Sequence, residues 1–216
     1  MLIPKKSLGQ NFLIDKNIIT KIINLGNIYN RNIIEIGPGT GQLTEEIIRR
    51  KPKKLLLIEK DNILCQKLKI KYKDLKNVEV LNFDALLYDF NIFKKPIIIS
   101  NTPYNISSKI IQHLLIEKNN FSKMIFMFQK EFAYKLLYSK NKKLNKYNLY
   151  VEMFAKYKIE FNVSNNVFYP KPKVSSCIVS FEPKKLLINR SKFLKFSNLI
   201  FRNKRKKIKS NIKIIN

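Results

Sequence analysis

Two hydrophobic periodicities alternate along the chain. Short runs of branched aliphatic and aromatic residues read as strands: Ile33-Ile-Glu-Ile36, Lys54-Leu-Leu-Leu-Ile58, Val78-Glu-Val-Leu81, Pro96–Ser100 and Met124–Phe128. Between them fall helical spacings. Leu43, Ile47 and Ile48 mark one helix, and Asp61 caps a second that runs to about Tyr72. Ile110, Ile111, Leu114 and Leu115 lie on one side of a third, Ser107–Glu117, and a fourth is expected near Lys130–Tyr138. Strands alternating with helices of this length predict βαβ units, and hence an α/β fold with a doubly wound, mostly parallel sheet covered on both faces. Two further β-like stretches, Leu149–Phe161 and Ser175–Phe181, have no full helix between them. They predict an antiparallel hairpin at the sheet edge, which makes seven strands in all. The prolines of Phe168-Tyr-Pro-Lys-Pro-Lys173 place an extended loop between these two.

After Glu182 the pattern changes. Residues 183–216 hold twelve basic residues and no acidic one, and Phe193, Phe196, Leu199 and Ile200 recur at helical spacing. A boundary is therefore expected near 183, with a main domain over 1–183 and a short basic helical segment over 184–216. No internal repeat is visible.

Composition sharpens this picture in two ways. The 216 residues are 45% apolar and 12% aromatic, which excludes a disordered chain and allows one sizeable core without disulfide or metal staples. The 43 Lys and Arg against 15 Asp and Glu leave a net charge of +28, which favours a polyanionic partner, either nucleic acid or an anionic membrane surface. The abundance of Lys, Ile and Asn is also what an AT-biased genome produces, so part of the charge reflects base composition. Cys65 and Cys177 lie far apart with no CxxC or Cys/His cluster, giving no disulfide framework and no zinc site. With no signal peptide and no apolar run near the ~20 residues of a membrane span, the chain reads as soluble, cytoplasmic and free of a membrane partner.

Glycine is scarce and confined. All five glycines precede residue 42, and three form the turn in Glu35-Ile-Gly-Pro-Gly-Thr-Gly41, between the first strand and its helix. In an open α/β sheet, ligands bind at the carboxyl ends of the strands near such a turn. The spacing is GxGxG rather than the GxGxxG of a dinucleotide site, and Glu35 precedes it. A carboxylate there is a poor neighbour for pyrophosphate and a good one for a cation, which favours S-adenosylmethionine. A structural turn or another nucleotide ligand are the competing readings. Glu59 ends the next strand about 20 residues on, placed to accept from ribose hydroxyls rather than being a solvated loop acid. Asp84, between Phe83 and Ala85, is placed to accept from an adenine amine; a cap or turn role is its alternative.

Ser100-Asn-Thr-Pro-Tyr-Asn105 follows the fourth strand. The exocyclic amine of adenine is a weak nucleophile because its lone pair is delocalised into the ring. Two acceptors, the Asn101 amide oxygen and a backbone carbonyl of the Thr102–Pro103 segment, would orient that amine, while Tyr104 offers a stacking surface. Such positioning lowers a barrier without a strong base or a metal. An ordinary Asn-Pro turn is the alternative. His113 sits in an apolar helical pattern and reads as a packed rather than a catalytic histidine, and both cysteines read as small core residues. Lys5 and Lys6, with Gln10, Asn11 and Phe12, read either as an N-terminal flap over the cofactor or as a disordered basic start.

Seven blocks, in order, resemble the ribosomal RNA adenine dimethyltransferases. They are Gly9-Gln-Asn-Phe-Leu13, Glu35–Gly41, Ile58-Glu59, Phe83-Asp84-Ala85, Asn101–Ser107, Phe128-Gln-Lys-Glu131 and Phe168–Ser175. The resemblance spans about residues 5 to 213. It implies a class I methyltransferase, Rossmann-like fold that dimethylates the 6-amino nitrogens of two adjacent adenosines in the terminal hairpin of small-subunit rRNA. It further implies contacts to S-adenosylmethionine at Asn11, Leu13, Gly37, Glu59, Asp84 and Asn101, with Glu35 and Gly39 in the same turn. The small-subunit branch is favoured over the large-subunit, antibiotic-resistance branch by Gln129-Lys-Glu131 and by the basic run Arg202-Asn-Lys-Arg-Lys-Lys-Ile-Lys209, in which Arg202, Lys204, Arg205, Lys206 and Lys207 are the expected RNA contacts. The expected partner is rRNA in an immature small subunit, and the enzyme is expected to be a monomer. A non-catalytic nucleic-acid-binding relative is the alternative from another class. Thr102 stands where the family carries an apolar residue. Family members continue into a small helical domain where this sequence reaches Asn216, so the basic segment is expected to be a reduced or incomplete version of it.

Overall fold

A computed structural model of the chain describes residues 10–118, 120–138, 144–185 and 189–202. In chain order its elements are β1 (Phe12–Leu13), α1 (Lys16–Asn24), β2 (Asn32–Ile36), α2 (Gln42–Arg49), β3 (Lys54–Glu59), α3 (Asn62–Lys71), β4 (Val78–Asn82) and β5 (Ile97–Asn101). There follow α4 (Ser107–Gln112), β6 (Lys123–Gln129), α5 (Lys130–Leu136), α6 (Lys146–Phe154), β7 (Ala155–Val163), β8 (Phe168–Tyr169), β9 (Ser176–Pro183) and α7 (Arg190–Ile200).

Seven strands form one sheet in the order β4-β3-β2-β5-β6-β9-β7. The pairs from β4 through β6 are parallel, and β9 joins β6 and β7 antiparallel. The first half of the chain winds outward from β2 to β4. It then returns to place β5 on the other side of β2, with Ile33 opposite Ile97 and Ile36 opposite Ser100. That reversal opens a crevice at the carboxyl ends of β2 and β5.

Strand alternation divides the core. Ile34, Ile36, Leu56, Ile58, Ile98 and Phe126 face one layer with Ile110, Leu114, Tyr150 and Phe154. Ile33, Leu55, Leu57, Ile99 and Met127 face the other with Ile19, Ile23, Leu43, Ile47 and Leu68. Both faces of the central strands are thus dry, which is why these strands read as continuous aliphatic runs.

Several elements differ from the sequence expectation, and α1 is not among the expected helices. Residues 149–154 belong to α6 and not to the edge strand, which begins at Ala155. Tyr147, Tyr150, Val151 and Phe154 follow the 3, 4 and 7 spacing of a helix face, and Asn145 starts the helix with a reciprocal capping box to Asn148. The helix after β5 is α-helical only to Gln112 and continues as a π-helical turn over His113–Lys118. On α7, Phe193 and Ile200 are buried with Ser197, while Phe196 is half exposed. Ser197 occupies the inward position because its hydroxyl donates to the Leu194 carbonyl and meets the Tyr150 hydroxyl at 3.2 Å.

His113 is packed as expected: its ring lies edge-on to Phe90, and Nε2 is 3.0 Å from the Tyr88 carbonyl, an acceptor, so Nε2 carries the proton. Both cysteines are buried and unbridged. No helix among the described residues is long and apolar enough to cross a membrane.

Replacing Asn145 by Ala removes the acceptor for the Tyr147 and Asn148 amides. The expected cost is about 1 kcal/mol of stability, read as a lower urea midpoint with an unchanged slope.

Candidate active site

The turn after β2 must reverse direction within a few residues while staying close to the strand ends. Gly37, Gly39 and Gly41 all have positive φ, at 64°, 60° and 89°. At Gly39 a Cβ would also crowd the Phe12 ring, 3.0 Å away, and at Gly41 it would collide with the Tyr72 hydroxyl at 2.7 Å. The glycines therefore serve both backbone shape and close approach. They let the N-terminal segment lie across the turn, where β1 pairs with β8, Phe12 opposite Tyr169 and Leu13 opposite Phe168. The proline-bearing stretch from Phe168 is consequently a strand at its start rather than loop throughout.

Beneath this segment lies a cavity of about 210 Å³. Asn11, Leu13, Glu35, Gly37, Gly39, Glu59, Asp84, Asn101, Pro103 and Tyr104 all line it, brought together from the ends of β1 to β5. The remaining wall includes Gln10, Phe12, Gln42, Leu43, Lys60 and Phe83. Of the expected N-terminal flap, residues 10–13 cross the cavity, and Lys5 and Lys6 lie outside the described residues. Arg202 is exposed just beyond α7, away from this wall, whereas Lys204, Arg205, Lys206 and Lys207 lie outside the described residues.

The loop after β5 is held from three directions. Asn101 donates Nδ2–H to the backbone carbonyl of Asn11 at 3.0 Å. Since a carbonyl only accepts, the amide is fixed with Oδ1 as its remaining acceptor. Thr102 is buried, and its hydroxyl donates to Ser100 Oγ at 3.0 Å, which in turn donates to the Ile36 carbonyl at 2.9 Å. This relay explains how a hydroxyl sits at an apolar position: Ser100 supplies the partner that burial demands. Tyr104 reaches Ser176 Oγ through its hydroxyl at 2.7 Å. The two carbonyls of the Thr102–Pro103 segment are not equally available. The Pro103 carbonyl already accepts from the Ile106 amide at 3.2 Å and the Ser107 hydroxyl at 3.5 Å, because a 3₁₀ turn follows. The Thr102 carbonyl is the acceptor left in that segment, and Pro103 contributes rigidity.

The carboxylates occupy three different environments. Glu35 is buried and accepts from the Thr44 hydroxyl at 2.7 Å. Burial pushes its carboxyl up to about 8, the Thr44 bond opposes the rise, and the charge of Glu59 adds to it. At neutral pH, Glu35 is thus a proton-bearing group and not the fixed anion expected. Burial also raises Glu59, opposed by backbone amides: its oxygens accept from Asp61 N–H at 2.8 Å and Gly39 N–H at 3.0 Å. The Lys60 amide opposes the rise as well, and three amide donors on two oxygens still leave acceptor capacity for a ligand. Asp84 is the most solvated. Burial would raise it, but the Lys60 ammonium at 2.8 Å and the Leu86 amide hold it below the usual carboxylate range. It therefore combines the turn role and the cavity position that the sequence left as alternatives.

Thr44, Ser100 and Ser176 were not singled out from sequence. Isolated hydroxyl residues carry no spacing signal, and their roles depend on partners 9 to 72 positions away.

The chain matches the family described as Ribosomal RNA adenine dimethylase over residues 2–216. A relative from Mycoplasmopsis synoviae (strain 53), named ribosomal RNA small subunit methyltransferase A, is 43% identical over 209 residues, covering 94% of this chain and 80% of its own. One of the same name from Hydrogenobaculum sp. (strain Y04AAS1) is 36% identical over 212 residues, covering 97% and 82%. The crystal structure of a dimethyladenosine transferase from Plasmodium falciparum is 31% identical with a TM-score of 0.77, over 94% of this chain and 74% of that one. That of the 23S rRNA methyltransferase ErmE, 22% identical, has a TM-score of 0.75 over 94% and 84%, a likeness of fold.

Two outcomes follow from the buried groups. Glu35 titrates near 4.5 when unfolded and about 8 when folded, so its contribution to stability is complete below pH 4.5 and is lost as pH rises toward 8. Glu35→Gln keeps an acceptor for Thr44 and removes this dependence. In denaturant titrations the variant should match the parent near pH 4.5 and exceed it by about 2–4 kcal/mol at pH 8. Ser100→Ala strands the buried Thr102 hydroxyl and should lower stability by about 1–3 kcal/mol, and adding Thr102→Val should restore most of that loss in the same titration.

Proposed function

Because the chain belongs to the ribosomal RNA adenine dimethylase family, we propose that it transfers methyl groups from S-adenosylmethionine to adenine 6-amino nitrogens of rRNA. The substrate is two adjacent adenosines in the 3'-terminal hairpin of small-subunit rRNA, met by a monomer on an immature subunit. The observation that carries this reading is the fixed amide of Asn101 at the mouth of a glycine-lined cavity.

The cavity fits the cofactor on its own terms. A Cβ at Gly37 would project into the gap toward Pro103, whose nearest atom is 4.0 Å away, so the absent side chain leaves room between the turn and the Asn101 loop. Glu59 offers free lone pairs at the end of β3. Phe83 and Ala85 flank Asp84 with apolar surface, as an adenine ring and its amine require. When bound, S-adenosylmethionine supplies an electrophilic methyl group on a sulfonium. Glu35 bears a proton at neutral pH, so Glu59, with Asp84 and its Lys60 partner beside it, supplies the acidic oxygens of the pocket wall, which suits a cationic ligand.

On the substrate side, Oδ1 of Asn101 and the Thr102 carbonyl accept the two amine protons. Withdrawing those protons from the ring plane turns the nitrogen lone pair toward the cavity. Tyr104 gives the extruded base a surface to stack on, and the rigid Thr102–Pro103 segment keeps the acceptors from relaxing as charge develops. The N-terminal segment, tied down by β8, screens the reacting atoms from water. The large-subunit branch and a purely binding role remain as outcomes of the assay.

Incubation with labelled S-adenosylmethionine and unmethylated small subunits should place label on two adjacent adenosines, mapped base by base. Label on large-subunit RNA, or tight salt-sensitive binding without label, would overturn the assignment. Asn101→Ala should lower turnover by about 100-fold or more while cofactor affinity, by calorimetry, changes far less; unchanged turnover would remove Asn101 from the mechanism.

A further inference from the structure

Tyr104 is a wall between two spaces. One side lines the cofactor cavity, and the other borders a second cavity of about 180 Å³ formed with Ser107, Ser108, Gln129 and Phe132. A ring with open space beside it does not hold one orientation by packing alone. What holds it is the contact between its hydroxyl and Ser176 Oγ at 2.7 Å. Ser176 is a rigid anchor. It is wholly buried at the start of β9, paired with Gln129 of β6 on one side and Val163 of β7 on the other. The preceding residue is clamped as well, since the Ser175 carbonyl accepts from the Lys130 amide at 2.9 Å.

We propose that Ser176 is a positioning residue for methyl transfer: it tethers Tyr104 so that the ring presents its face to the substrate base instead of swinging into the second cavity. The inference rests on the reading of Tyr104 as the stacking surface. It assigns the antiparallel edge of the sheet a part in the chemistry, because β9 carries the anchor while β5 carries the loop. Loss of the tether leaves both acceptors, Asn101 and Thr102, in place. Its effect therefore falls on the fraction of bound base held in line, which is turnover, and not on cofactor capture.

The test compares the parent with Ser176→Ala, Tyr104→Phe, the double variant and Tyr104→Ala, on unmethylated small subunits with saturating S-adenosylmethionine. Ser176→Ala and Tyr104→Phe should each lower kcat by about 10-fold, with KM for subunits and cofactor affinity within about 2-fold of the parent. The double variant should be no slower than either single, because both remove the same bond. Tyr104→Ala, which also loses the stacking face, should be slower than all of them. Parental kcat in Ser176→Ala, or losses that multiply in the double variant, would overturn the tether. Should Ser176→Ala fail to fold by circular dichroism, Tyr104→Phe decides alone, since it breaks the same bond and leaves β9 untouched. An inactive parent defeats the proposed function, and full activity in Tyr104→Ala defeats the stacking role of Tyr104; either takes the tether with it.

Discussion

The pairing of β2 with β5 is the constraint on which the rest depends. Both strands bury aliphatic side chains on both faces, so neither can sit at a solvated edge, and each must be covered by helices from two layers. Once they are neighbours in a parallel sheet, their carboxyl ends share one rim, and the glycine turn and the Asn101 loop must face each other. The Ser100 hydroxyl, reaching the Ile36 carbonyl across that junction, ties the two loops at their roots. Everything chemical in the protein is then a matter of what the loops on that rim carry.

Charge is distributed in keeping with this geometry. Only 15 acidic residues oppose 43 basic ones, yet Glu35, Glu59 and Asp84 converge on a single cavity, with Asp61 behind them accepting from Gln10. A strongly basic chain thus gathers carboxyl groups around one pocket. Glu35, protonated until about pH 8 in a dry environment, moderates the field inside that pocket and avoids the penalty of a second desolvated anion close to Glu59.

Legibility from sequence followed the range of the determining contacts. Parallel strands and the helices α2 and α3 were readable because burial on two faces, or one face plus an Asp61 cap, leaves a local trace. The edge was misread where aromatic residues of α6 satisfy both a strand composition and a helix period; the Asn145 box decides between them, and Asn is a weak signal in an Asn-rich chain. Whereas Asn11 and Leu13 came as cofactor contacts from the family resemblance alone, the wall residues from Glu35 to Tyr104 were legible because the chemistry of a cofactor site calls for them at strand ends. Their states were not: the protonation of Glu35 depends on desolvation, and the choice of the Thr102 over the Pro103 carbonyl depends on a 3₁₀ turn that proline only permits. Ser176 stood one position past the block Phe168–Ser175 and needed the folded sheet to meet Tyr104.

The bond from Asn101 to the Asn11 carbonyl has an implication for how this site tolerates change. Its acceptor is main chain, so the identity of residue 11 is irrelevant to the direction in which the Asn101 amide points, whereas any displacement of the segment is felt at once. The orientation of the key oxygen is a property of chain path, insulated from side-chain substitution at the position that supplies it. Mutational robustness is thereby built in at one end of the contact, and sensitivity is concentrated at the other.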